Sequence, residues 1–275
     1  MRFKNKTLRS WVVFYIPAGV IAILMIAPLA WSSVISFFGK RATDGEGGFG
    51  LGNYERLAGY GEGIWVYAFN SIVISFVAVV GTIAVTVLGG YAFARFKFPG
   101  KNLLFGAALA ILMIPNVTVL IPIYTILRKL EMQNSLIGVG IVLIMFQLPF
   151  GLFVMRNAFS SLPREIEEAA LVDGCTPFGA LFKILVRSVT PAIATVGVFS
   201  FLIAWNEFLA PLILLSDGNK FPLPIALLSL RSGEYMSVDL GALQAGILVT
   251  ALPCLLVFLF LQKYYVRGIT SGSVR

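Results

Sequence analysis

Six long stretches of this 275-residue chain are almost free of charge. They run from Trp11 to about Phe38, Ile64 to Ala94, Asn102 to Tyr124, Leu136 to Met155, Val189 to Leu215 and Leu240 to Gln262. The hydrocarbon core of a bilayer asks for about 20 consecutive apolar residues per helix. Lipid offers no hydrogen bonds to the backbone, so a helix, which satisfies its own, is the default spanning element. Only 12% of the residues are charged, against about 25% in soluble domains, and 58% are hydrophobic. The expected fold is therefore all-α: a polytopic membrane protein of six transmembrane helices with a polar loop between spans four and five. The first run is far longer than the roughly 7–15-residue apolar core of a secretory signal, so it reads as an uncleaved span.

Six spans put both termini on one side, and the cations say which. One side collects Arg2, Lys4, Lys6 and Arg9, the turn cations Arg95, Lys97 and Lys101, the loop cations Arg156, Arg164, Lys183 and Arg187, and Lys263, Arg267 and Arg275 in the tail. That is 14 of the 21 Lys and Arg residues. The other side has Lys40, Arg41, Arg56, Arg128, Lys129, Lys220 and Arg231, accompanied by eight acids. By the positive-inside rule both termini and the central loop are expected in the cytoplasm. Topology accounts for the net charge of +8, which leaves a nucleic-acid partner nothing to explain.

The polar segment from Leu162 to Pro191 reads as helix, glycine elbow, helix. Pro163 followed by Glu165, Glu167 and Glu168 suits a helix start, where a missing N–H costs little and negative charge meets the positive end of the dipole. Gly174 suits a left-handed stop. Thr176 with Pro177 reads as the cap and first turn of the next helix. Leu162, Ile166, Ala169 and Asp173 are spaced to share one face of the first helix. Its second apolar patch calls for another surface to cover it.

Several chemistries are excluded. The chain has no histidine, no Gly-x-x-x-x-Gly-Lys-Ser/Thr phosphate loop and no nucleophile–base set in plausible reach. It is not expected to be an enzyme, to hydrolyse ATP itself, to bind a cofactor or to hold a metal. Cys175 and Cys254 lie in different surroundings and imply no disulfide.

Polar groups within or beside spans are the candidates for a solute pathway: Asn70, Asn116, Gln147, Trp205, Asn206 and Glu207. Amides and an aromatic suit a neutral, hydroxyl-rich solute, although interhelical packing is a common use of such residues. Glu207 is the one acid expected inside a span. It serves either a proton-coupled carrier or, as a structural carboxylate, a kinked helix.

The central loop resembles that of ATP-driven importer permeases. Glu168, Ala169 and Ala170 open its Glu-Ala-Ala motif, Asp173-Gly174 stand at motif positions six and seven, and Ile184 and Pro191 match later positions. Cys175 replaces the usual alanine, and Arg187 replaces a usual proline, which questions the bend there. Tyr91-Ala92-Phe93-Ala94-Arg95 with Phe98-Pro99-Gly100, Trp205-Asn206-Glu207-Phe208 and Tyr265-Val266-Arg267-Gly268 resemble signatures of maltose-type sugar permeases. The resemblance implies the smaller permease subunit of a carbohydrate importer in a bacterial or archaeal cell membrane. It divides the chain into residues 1–63 and a five-span core, 64–275, with a coupling loop at 156–188. Glu168, Ala169, Ala170, Asp173 and Gly174 would meet an ATPase. The implied partners are a second homologous permease, a dimer of cytoplasmic ATPase subunits carrying ATP and magnesium, an extracytoplasmic solute-binding protein and membrane lipid. Other cargo, or a self-contained proton-coupled carrier using Glu207, are the alternatives.

Overall fold

The computed structural model describes residues 2–40, 47–232 and 239–270. Arg41, Asp44, Glu46, Glu234 and Arg275 of the charge argument fall outside them, and of the Tyr265–Gly268 signature only the helical backbone is described. The described residues are almost all helical: α1 (Arg2–Phe37), a hairpin of β1 (Phe38–Lys40) and β2 (Gly47–Phe49), α2 (Gly52–Ala58), α3 (Ile64–Arg95), α4 (Lys101–Ala110), α5 (Asn116–Lys129), α6 (Leu136–Ser161), α7 (Arg164–Val172), α8 (Pro177–Ser188), α9 (Thr190–Asn206), α10 (Leu209–Leu214), α11 (Leu223–Ser232) and α12 (Leu240–Thr270). The protein is an all-α polytopic membrane protein.

Among the described residues, four segments are unbroken helices long and apolar enough to cross a bilayer: Val13–Phe37, Ile64–Arg95, Leu136–Ser161 and Leu240–Phe260. The other two expected spans are not single rods. Lys101–Met113 and Asn116–Lys129 meet at 105°. Pro115 is the cause: it forces Ile114 into an extended conformation (φ −89°, ψ 123°) and supplies no N–H to continue the ladder. Pro177–Ser188 and Thr190–Asn206 meet at 78°. The fifth expected span also ends early, because Glu207 is extended (φ −69°, ψ 127°) and α10 starts afresh beyond it.

The chain forms two compact units. The first comprises residues up to Ile64 with Leu227–Leu252. Its centre is Asn53, whose amide donates to the carbonyls of Ile35, Ser36 and Phe38 at 2.9–3.2 Å. The last carbonyls of a helix have no intrahelical partner, so one buried amide closes the end of α1. Arg56 joins Asn53 to Asp239, just before α12.

The second unit comprises Trp65–Ala226 and Pro253 onward. Within it α3 and α6 interlock through glycine notches. A Cβ on Gly81 would stand 2.1 Å from Ile144 Cδ1, one on Gly90 2.5 Å from Met155 Cβ, one on Gly140 2.6 Å from Val77 Cγ1, and one on Gly151 2.6 Å from Thr86 Cγ2. Partner numbers rise together, so the helices run parallel in fixed register. Small residues let membrane helices approach until dispersion forces hold them. Around the lower part of this pair, Tyr91, Met155, Phe159, Leu181, Leu185, Val189 and Val196 form one apolar cluster.

Candidate functional site

The helix–elbow–helix reading holds in detail. Pro163 precedes α7, and Gly174 ends it at φ +84°. The Cys175 N–H donates to the Ala170 carbonyl and the Gly174 N–H to that of Leu171, both at 3.0 Å. This is the double bond of a Schellman stop, which needs the left-handed residue that glycine supplies. The Thr176 hydroxyl then accepts from the Gly179 N–H at 3.1 Å and caps α8.

The buried face of α7 differs from the expected one. Leu162 and Ile166 do pack against the apolar cluster, but Ala169 and Asp173 are exposed and Ala170 is buried instead. The face follows steps of four, 162, 166 and 170, as a helix row does, rather than stepping by three onto Ala169. Glu168 and Gly174 are exposed as well. α8 and the Val189 that follows it anchor the elbow through Leu181, Leu185 and Val189, again at steps of four, with a π-helical turn over Leu181–Leu185.

The residues that tie α7 to a span were not among the expected site residues. The Tyr91 hydroxyl donates to Glu167 Oε1 at 2.5 Å. Arg95 Nε lies 3.1 Å from Glu167 Oε2, an ion pair whose N–H is poorly aligned, and Arg95 also donates to the Leu162 carbonyl at 3.1 Å. The pair is well shielded, with 6% of the arginine side chain and 15% of the glutamate side chain exposed. The last turn of α3 therefore grips the first turns of α7. A signal existed in the sequence: Tyr91 and Arg95 stand four apart, on one helix face, within a quoted signature.

The outward side of the elbow mixes exposed apolar residues with the exposed carboxylates Glu165, Glu168 and Asp173. Val172 is 87% exposed and Phe178 69%, with Leu171 and Phe182 also exposed. The Arg187 substitution does not straighten the segment. Arg187 is exposed, the break falls at Val189, and Pro191 sits in the first turn of α9.

The span candidates have separate surroundings. Asn70 is buried and donates to the carbonyls of Asn219 at 2.8 Å and Phe221 at 3.0 Å, so it staples the loop after α10. Trp205 is buried and stacks on Phe201 with ring centroids 5.6 Å apart. Asn206 is exposed and donates to the Leu202 carbonyl at 2.8 Å. Glu207 Oε1 accepts from the N–H groups of Leu209 and Ala210, both at 3.0 Å. It caps α10 across the break, the structural use of that carboxylate. Asn116 lines an apolar groove of about 410 Å³ with Pro122, Phe146 and Pro149. Gln147, next in the chain to Phe146, is buried and its Nε2 has no hydrogen-bond partner. Among the described residues no cluster of His, Cys, Asp or Glu could hold a metal.

The chain is thus an apolar bundle whose loop forms a capped elbow gripped from one span. Residues 86–271 match the family described as binding-protein-dependent transport system inner membrane component. This chain belongs to that family. It is a transport subunit, a permease of an ATP-driven importer, and not an enzyme; ATP hydrolysis in such systems lies with separate subunits. The permease is 33% identical to the probable ABC transporter permease protein YurM of Bacillus subtilis over 219 residues, covering 80% of this chain and 72% of that protein. It is 35% identical to the arabinooligosaccharides transport system permease protein AraQ of Halalkalibacterium halodurans, covering 77% and 74%. In fold it resembles a chain of a bacterial ABC transporter involved in the import of the acidic polysaccharide alginate. There the TM-score is 0.77, at 22% identity over 96% of this chain and 98% of that one.

Proposed function

We propose that this permease forms half of the translocation pathway for a sugar or oligosaccharide and is driven through α7 by a separate cytoplasmic ATPase. The observation that carries the reading is the elbow itself. Its inner side is fixed to α3 by Glu167, Arg95 and Tyr91, while its outer side presents Val172, Phe178 and Leu171. A helix that is held on one side and exposed on the other can receive a push and pass it on. Glu168, Ala169, Asp173 and Gly174, all exposed, would lie in the ATPase cleft, with buried Ala170 supporting them from behind. ATP and magnesium would reside on the ATPase dimer. Its closure would shift the bundle between inward- and outward-open states, and the energy would enter as differential binding to those states.

A second homologous permease would complete the pore, and an extracytoplasmic solute-binding protein would deliver the cargo. Both termini would be cytoplasmic, in a bacterial or archaeal cell membrane. A carbohydrate cargo is supported by the relatives named for arabinooligosaccharide transport and by the likeness to an alginate importer. The proton-coupled alternative is weakened because Glu207 is committed to capping α10.

The test replaces Val172 by Asp in the complex expressed with its ATPase. Val172 is almost fully exposed, so the permease itself should fold. Retention of the ATPase on purification and hydrolysis stimulated by the solute-binding protein should both fall at least tenfold. Unchanged retention and stimulation, or sugar uptake by this chain alone under a proton gradient, would refute the reading.

A further inference from the structure

The turn between α3 and α4 gathers cations that have no carboxylate partner among the described residues. Lys97 and Lys101 line a cavity of about 340 Å³ together with Gly100, Asn102 and Leu103. Arg156 lies over the Phe105 ring, 4.2 Å from its centroid, and Phe105 is one helical turn from Lys101. Arg156 Nε is buried and has no hydrogen-bond partner. Arg156 and Arg164 both lie within electrostatic reach of Lys101. Lys101 spends one donor on the Phe96 carbonyl. Among the described residues, none of these four cations forms an ion pair with a carboxylate. Glu167, in the first turns of α7, is held by Arg95 and Tyr91.

Lys101 and Arg164 are each the first residue of a helix, where a cation opposes the dipole, and neither helix has a side-chain cap. Beside the cavity, Leu103 is 78% exposed, with Leu104 and Phe96 also exposed, so its rim is greasy rather than wet. The cluster lies where the span Ile64–Arg95 ends and the next apolar segment begins, which is the membrane surface whichever side it faces.

We propose that this cluster is a binding site for the phosphate of an anionic phospholipid. The headgroup would sit among Lys97, Lys101, Arg156 and Arg164, and its acyl chains would lie on Leu103 and Leu104. A phosphate is the counter-charge that four unpaired cations lack, and basic pockets at the ends of transmembrane helices suit such headgroups. The apolar rim favours a lipid over a free anion or an acidic protein segment. The inference rests on membrane insertion alone and not on the cargo or the ATPase.

The test compares the purified complex with a Lys97→Gln/Lys101→Gln variant, which alters only the cavity rim, and with Arg128→Gln/Lys129→Gln as a charge-matched control elsewhere. Each is titrated in neutral-lipid nanodiscs with phosphatidylglycerol, with phosphatidylcholine or with inorganic phosphate. Retained lipid is counted by native mass spectrometry, and the unfolding temperature is measured. The unmodified protein and the control should retain phosphatidylglycerol preferentially and gain several degrees from it. The rim variant should lose at least tenfold in retention while unfolding at the same temperature in neutral lipid. Equal retention by all three, stabilisation by inorganic phosphate alone, or a loss that appears only when the ATPase is absent would overturn the proposal.

Discussion

Replacing Glu167 by Ala tests how α7 is held. The substitution removes the acceptor for the Tyr91 hydroxyl and the partner of Arg95. A hydrogen bond to a charged group contributes about 1.5–3 kcal/mol. Breaking a fully buried ion pair by removing one partner costs about 3–5 kcal/mol. Here the pair is at the edge of the apolar cluster, and Arg95 keeps its bond to the Leu162 carbonyl, so the upper figure does not apply. A net loss of about 2–3 kcal/mol follows, or roughly 30- to 150-fold in the docking equilibrium of α7, at about 1.4 kcal/mol per tenfold. Hydrogen exchange over residues 164–172, measured in the assembled complex in nanodiscs, should accelerate by that factor, while residues 136–161 keep their protection. Glu167→Gln keeps an acceptor for Tyr91 but loses the charge, so it should fall between. A cycle with Tyr91→Phe should show coupling of about 1 kcal/mol or more between the two sites. Exchange within twofold of the unmodified protein in Glu167→Ala would refute the claim that this trio holds the helix.

Three other outcomes are expected. Gly90→Ala drives a methyl to 2.5 Å from Met155 Cβ and 2.9 Å from its backbone, so it should cost about 1–3 kcal/mol and lower the unfolding temperature, whereas Gly106→Ala, with open space around it, should not. Glu207→Gln retains an acceptor for the Leu209 and Ala210 N–H groups, so sugar uptake should stay within about twofold; a tenfold loss would revive a proton-carrying role. Partial burial raises the pKa of Asp239, but the Arg56 bond and the Ala242 N–H outweigh it and hold the carboxyl below its ordinary 3.8. Its contribution is therefore present above that value and is lost as pH falls through the lower, folded one. Asp239→Asn should destabilise by roughly 1 kcal/mol at pH 7, a figure modest because the pair is partly exposed, and the difference from the unmodified protein should disappear as pH falls through that lowered value.

The membrane class and the elbow were legible because each rests on local chemistry. Long uncharged runs need lipid, and Gly174, Thr176 and Pro177 carry conformational preferences that neighbours rarely override. The breaks at Ile114 and Glu207 were half legible. Pro115 was visible, but a proline in a span can kink a helix or end it, and only packing decides which. Glu207 looked like a charge in the membrane because its cap partners, the Leu209 and Ala210 N–H groups, exist only once the helix has ended. Tyr91, Arg95 and Glu167 were missed as a set because Glu167 lies 76 residues from Tyr91 and meets it and Arg95 only through the fold. The buried face of α7 was misassigned for the same reason: spacing of three and four both define neighbours, and the location of the cluster chose Ala170 over Ala169.

The notches at Gly81, Gly90, Gly140 and Gly151 act like the teeth of two meshed racks. An axial slip of one residue, about 1.5 Å, would drive Ile144 or Met155 into a backbone that has no room for them. If α7 is driven as proposed, a force passed from it to α3 through Arg95 is not dissipated by α3 sliding along α6; the two would swing as a single stave. Rotation is left to the places where the helical ladder is already interrupted, at Ile114–Pro115, Val189 and Glu207–Phe208. The joints of this permease are written as defects in its rods, and its stiffness as the absence of side chains.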